Sequence, residues 1–236
     1  MINFKNVLFL ALMFVTTLAV GQKDIGMVKY EVTNVESDNP QMASQLGMLK
    51  NGSMTIHEND SKVLFIQNMG GMMVTKILSN KDTEGQTMYM DMMGQKIMID
   101  MSKEEVAEMQ NKNDDTEGPK VTKFMDETKE ILGYECYKVM TTMESPQGNV
   151  NTTLYVTEDL ASEGQDKIIQ GQDVDLSGFP LEMTTEMSGQ FSMTYQAKDI
   201  KMRSEVDEKA FEIDETGYEK KTFDEMSKMM GGMGGM

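Results

Sequence analysis

Cysteine, histidine and arginine occur once each in the 236 residues, as Cys136, His57 and Arg203, and tryptophan is missing altogether. One thiol cannot close an intramolecular disulfide, so the fold has to stand on its core, and a lone thiol with no positive neighbourhood reads as buried and inert. Nucleophilic hydrolysis asks for a nucleophile, an activating base and a group that orients the base. The single histidine lies in an alternating run beside Glu58, where a strand-surface role is the ordinary one. One histidine and one cysteine also fall short of the three or four ligands that zinc takes, so no metal site is assigned. No glycine-rich phosphate loop opens a helix. Paired carboxylates of the glycosidase kind stay open, because spacing across strands is invisible in a sequence. No reactive constellation stands out, and the chain reads as a non-enzyme without a cofactor.

Positive charge is scarce as well. With 22 lysines and arginines against 39 acidic residues the formal charge is −17. A field of that sign repels phosphate backbones and anionic lipid surfaces, which argues against nucleic-acid binding and polybasic membrane docking, and its plain role is solubility. Long apolar runs are confined to residues 7–20. This run follows Lys5 and ends in the small-residue exit Ala19-Val20-Gly21, the three-part pattern of a secretory signal peptide. It is shorter than the roughly 20 residues of a comfortable membrane span, and the polar Gln22-Lys23-Asp24 follows directly. A retained N-terminal anchor is the rival reading. No cysteine stands at the cleavage point for a lipid anchor. The expected organisation is a signal peptide over 1–21, one antiparallel β domain over 22–222 and a flexible Met/Gly-rich tail over 223–236. The mature protein would be soluble, periplasmic or secreted, with no membrane span, and its oligomeric state is open.

Within the domain, alternating apolar and polar residues recur in short runs broken by Gly, Asn, Asp and Pro, a spacing that suggests a sandwich, barrel or curved sheet. Strands are predicted at 25–35, 53–57, 63–67, 73–78, 87–93, 96–101, 121–125, 134–143, 151–157, 181–187, 191–202 and 210–213. Gly94-Gln95 marks a tight hairpin. Asn39 and Pro40 open a short helix that places Met42, Leu46 and Leu49 on one face before Gly52. Ser102-Lys103-Glu104-Glu105 is a capping box ahead of Val106 and Met109. A third helix is expected over 158–169. The acidic stretch 111–119 reads as a solvated loop, since its spacing matches no EF-hand.

The surplus is methionine, 28 in the chain. Thioethers are flexible, polarizable filler able to line a wall that repacks around apolar ligands. Met88, Met90 and Met92 alternate onto one face of a strand, and with Phe65 and Leu154 they form the candidate ligand-binding wall. The competing use is ligation of a soft metal such as Cu(I), with the 88–93 and 226–236 clusters as candidates. Core packing is the bland reading for any single methionine.

The run Ile131-Leu132-Gly133-Tyr134-Glu135-Cys136 fits an I-x-G-Y-x-C strand. Further along come Leu154-Tyr155-Val156-Thr157-Glu158-Asp159, Gly178-Phe179-Pro180 and Gly217-Tyr218. In this order the set resembles a family of exported Gram-negative envelope proteins and is similar to the GLPGLI family, though the turn here is Gly178-Phe179-Pro180 and not the longer glycine-leucine-proline-glycine signature. Such proteins look like distant relatives of periplasmic lipoprotein carriers of the LolA/LolB type. That likeness implies a mainly β fold, a curved open antiparallel sheet or half-barrel with two or three short helices against its concave face. It also implies an apolar cavity for acyl chains, with a lipid or lipoprotein as partner. It supplies no binding residues of its own, and function has to be argued from a site.

Overall fold

The structure is a computed structural model that describes residues 22–37, 39, 46–111, 119–143, 149–165, 176–187 and 191–225. The expected signal peptide, the start of the helix opened at Asn39, most of the acidic loop and the Met226–Met236 tail lie outside the described residues.

Alternation writes most of the chain as strands. β1 (Lys23–Glu36), β2 (Ser53–Glu58), β3 (Lys62–Asn68), β4 (Met73–Asn80), β5 (Gln86–Met92) and β6 (Gln95–Met101) form the first half. β7 (Lys120–Ile131), β8 (Tyr134–Met143), β9 (Val150–Thr157), the two-residue β10 (Leu160–Ala161), β11 (Phe179–Met187), β12 (Phe191–Met202) and β13 (Glu219–Lys221) follow. They build one mainly antiparallel sheet in the order β13-β6-β5-β4-β3-β2-β1-β12-β11-β9-β8-β7, with β10 paired to β1. The sheet is open, its edges being β7 and β13. The meander β2 to β6 runs through consecutive antiparallel pairings without a register shift, so each side chain keeps its face across five strands.

The sheet is strongly bent. Tyr195 of β12 packs on the buried cluster that also holds Phe65 of β3, although flat strands at about 4.8 Å spacing would stand roughly 14 Å apart across three steps. Tyr30 of β1 donates its phenol to the Pro180 carbonyl of β11 at 2.6 Å. The face that these side chains cross is therefore concave.

An α-helix, α1 (Lys103–Asn111), follows β6. Its capping box is as read from the sequence: Ser102 Oγ accepts from the Glu105 amide, and the Glu105 carboxylate accepts from the Ser102 amide at 2.8 Å. Two expected elements come out differently. In place of a helix starting at 158, the chain turns after β9 and adds β10 beside β1, using backbone groups at the start of β1 that would otherwise be unpaired. The strand expected at 210–213 overlaps a 3-10 turn, Glu208–Phe211, whose amide at Lys209 is capped by Asp207. Its apolar residue Phe211 is buried as part of a strap crossing the outer face: the Phe211 ring meets His57 of β2 edge-on, and further along Tyr89 of β5 donates to Glu215. The strap then becomes β13, parallel to β6.

The hairpin turns follow backbone sterics. Met93-Gly94 and Leu132-Gly133 both carry positive φ at the two central positions, as a two-residue turn matched to strand twist requires, so the β5–β6 turn sits one residue earlier than expected.

Candidate binding groove

On the concave face, rows of side chains follow from the register. One row runs Val28, Ile56, Phe65, Ile77, Met88, Ile99 from β1 to β6, and the next runs Tyr30, Met54, Gln67, Thr75, Met90, Ile97. Beyond them Met73 faces Met92. These rows are not one continuous core. A large buried cluster holds Val28, Tyr30, Ile56, Phe65, Val139, Leu154 and their neighbours, with Ile77 packed on its margin. A second, smaller one holds Ile97, Ile99, Met101, Val106 of α1 and Phe223, with Met88, Met90 and Met109 on its margin.

The boundary falls between β4 and β5. Ile77 belongs to one cluster and Met88 to the other, yet they are direct cross-strand partners. Along this seam Met73, Thr75, Ile77, Met88, Met90 and Met92 are all half-buried, in contrast with the buried Phe65 and Ile99 on either side. The result is a half-buried apolar strip along β4 and β5, called the groove below, with Val106 of α1 in the cluster on its β6 side.

At one end the groove turns polar. The row beyond Ile77 and Met88 reads Glu58, Val63, Ser79, Gln86, Met101. A hollow of about 380 Å³ opens here, lined by Val63, Ser79, Gln86, Lys103, Val106 and Glu163 among others. Ser79 Oγ is buried without a hydrogen-bond partner. Lys103 pairs with Glu84 at 2.7 Å, and that hydrogen bond raises the lysine's pKa.

A clasp borders the hollow. Glu58 is 1% exposed, and its carboxylate accepts from Lys81 at 2.9 Å, Arg203 at 2.9 Å, Ser162 Oγ at 2.5 Å and the Gly164 amide at 3.2 Å. Lys81 also pairs with Glu163 at 2.8 Å. Burial pulls the Lys81 pKa down, but the hydrogen bonds with Glu163 and Glu58 outweigh it and hold the ammonium above its ordinary value. A buried carboxylate persists only when paired and fully hydrogen-bonded, and here that requirement ties β2, the turn after β4, the 162–164 loop and the 3-10 turn Arg203–Glu205 after β12 together. The loop sits close on the concave face: a Cβ at Gly164 would lie 3.1 Å from Ile56 and from Val63.

The residues singled out in the sequence are thus distributed unevenly. Met88, Met90 and Met92 line the groove together, with Ile77 and Met73 as unforeseen opposites on β4. Phe65 is buried next to the groove, and Leu154 lies deep in the large cluster on β9, away from the seam. The rim residues Ser79, Gln86 and Glu58 were missed because only the pairing register reveals that they share a face. Among the described residues no three of His, Cys, Asp and Glu gather in a way that could hold a metal ion, and no helix is long and apolar enough to cross a membrane.

The domain of unknown function DUF4412 matches residues 39–224, which span the groove and the clasp. The chain belongs to the DUF4412 family. Among solved structures, the Mycobacterium tuberculosis lipoprotein LppX is similar at 11% identity, covering 78% of this chain and 89% of that one with a TM-score of 0.39. A comparison with curated proteins finds no match.

Proposed function

We propose that this DUF4412 chain is a non-enzymatic binding module, exported to the periplasm or beyond, that holds a lipid, a lipidated partner or another hydrophobic ligand in the β4–β5 groove. The observation that carries the proposal is the seam itself: two clusters with buried interiors leave an apolar, methionine-rich strip half-buried between them, where a soluble domain would otherwise merge them. Met88, Met90 and Met92 make the contacts, Met73 and Ile77 face them, Phe65 stands behind as rigid packing, and Leu154 supports the bend from the far side of the cluster. Thioethers suit a surface that must repack around chains of varied shape.

Protein recovered from its own envelope should carry an apolar ligand in native mass spectrometry and lipid extraction. The double variant Met88→Glu, Met90→Glu should release it while circular dichroism keeps its strand signature. Repeated recovery of ligand-free protein from the source envelope would overturn the reading.

The cross-strand pairing of Met73 with Met92, beside Met88 and Met90 on the same face, favours one alternative, a soft-metal site for Cu(I). Titration of Cu(I) against a competing chelator separates the two. Sub-micromolar binding lost in Met73→Leu, Met92→Leu supports the metal, and binding indifferent to those changes removes it.

A further inference from the structure

The groove has two chemically different ends. From Ser79 to Met73 it runs six residues along β4, roughly 20 Å at about 3.4 Å per residue, the length of an extended long acyl chain. The Met73–Met92 end is apolar, whereas the Ser79–Gln86 end opens into the 380 Å³ hollow, which lies within the usual size range of small-molecule sites. A long molecule lying in the seam would place its two ends in these two environments.

The hollow is neither acidic nor basic. Its walls carry Lys103 paired with Glu84 and Lys81 paired with Glu163, and both carboxylates are mostly exposed, at 59% and 65%. Lys103 is therefore held by a partner that can swing into water at little cost, whereas Lys81 is also anchored by the buried Glu58. Ser79 adds a buried hydroxyl with no partner, a group that normally costs free energy unless something completes it. Gln86 and Asn80 add amides. A ligand group of one charge beside the Lys103–Glu84 pair would attract one member and repel the other. A group carrying both signs can replace an ion pair reciprocally, its anion taking Lys103 and the Ser79 hydroxyl while its ammonium takes Glu84.

We infer that the hollow is a head-group site for a zwitterionic amphiphile, a phosphate and an ammonium on one head, whose tail lies along the Ile77–Met88 seam. This inference rests on the groove-binding reading above and adds the class of ligand to it. The chain's overall charge of −17 points the same way, because it disfavours a purely anionic head at long range.

The test compares four probes on the full chain by calorimetry: lysophosphatidylethanolamine, the monoacylglycerol and the fatty acid of the same chain length, and glycerophosphoethanolamine, which is the head alone. The zwitterionic lipid should bind about tenfold tighter than the monoacylglycerol, the gain expected of one charge-assisted hydrogen bond. The exposed-pair variants Lys103→Gln and Glu84→Gln, and Ser79→Ala separately, should bring that ratio to within about twofold. Equal affinity for all three tailed probes, a ratio unmoved by the variants, or a fatty acid bound tightest overturns the head-group site and leaves the groove intact. Head alone bound as tightly as the lipid makes the hollow a site for free polar molecules and overturns the inference. No binding of any tailed probe removes the groove reading itself.

Discussion

Cys136 shows how far environment decides the chemistry of a single side chain. It is fully buried, and burial, with Glu182 adding to it, pushes its thiol pKa up to about 11. A thiol so rarely ionised is a poor nucleophile, so the native protein should resist alkylation by iodoacetamide at pH 8 and react at once when denatured in urea, as read by mass spectrometry. His57 is the other solitary residue. Burial, with Lys201 nearby, lowers its pKa from 6.5, and its Nδ1 is buried without a partner. The folded chain thus favours the neutral ring. Below pH 6.5 the unfolded chain binds the extra proton more readily, so this residue's contribution to stability is complete above that value and declines as the pH falls. In denaturation midpoints measured between pH 7.5 and 5, His57→Gln should flatten that part of the slope.

At the level of elements, turns and caps fix where strands begin and end. Gly70, in the β3–β4 turn, has φ of +63°, and a Cβ there would lie 1.9 Å from the Met48 carbonyl oxygen, a backbone clash that no rotamer relieves. Its neighbour Gly71 also has positive φ, at +84°, but faces open space. Gly71→Ala should therefore cost about 1 kcal/mol of conformational strain, and Gly70→Ala clearly more, because the 47–51 turn must move as well. Urea denaturation of the two variants measures the difference, and equal losses would refute the clash. The edge strand β7 is handled differently: a bulge between Phe124 and Thr128 and the charges of Lys123, Asp126 and Glu127 break up an otherwise exposed pairing edge.

For the whole molecule, the decisive feature is that its concave face is divided, and that a single buried carboxylate ties the covering loop to the sheet. Glu58→Ala would leave Lys81, Arg203 and the Gly164 amide without their common acceptor. Removing one partner of a buried ion pair costs about 3–5 kcal/mol, so the variant should lose that much in chemical denaturation, whereas Glu163→Gln, at an exposed partner of Lys81, should lose under about 1 kcal/mol. Similar losses in both would show that Glu58 is not the node. The same substitution should raise amide exchange across the 160–165 loop, since its hydrogen bonds to Glu58 disappear.

Most of the strands, their antiparallel class and the capping box of α1 were legible in the sequence, because period-two alternation, glycine turns and the Ser102–Glu105 spacing are local signals. The grouping of Met88, Met90 and Met92 was legible for the same reason. The short β10, the 3-10 turn at Phe211 and the fate of Phe65 and Leu154 were not, since each depends on what lies opposite in space. Sequence alone determined which side chains share a strand face. Only the tertiary structure decided which strands lie side by side, and hence that Glu58 meets Arg203, that Ser79 and Gln86 form a polar end, and that the apolar core parts between β4 and β5: alternation sets the direction of a side chain, while register and bend set its neighbours.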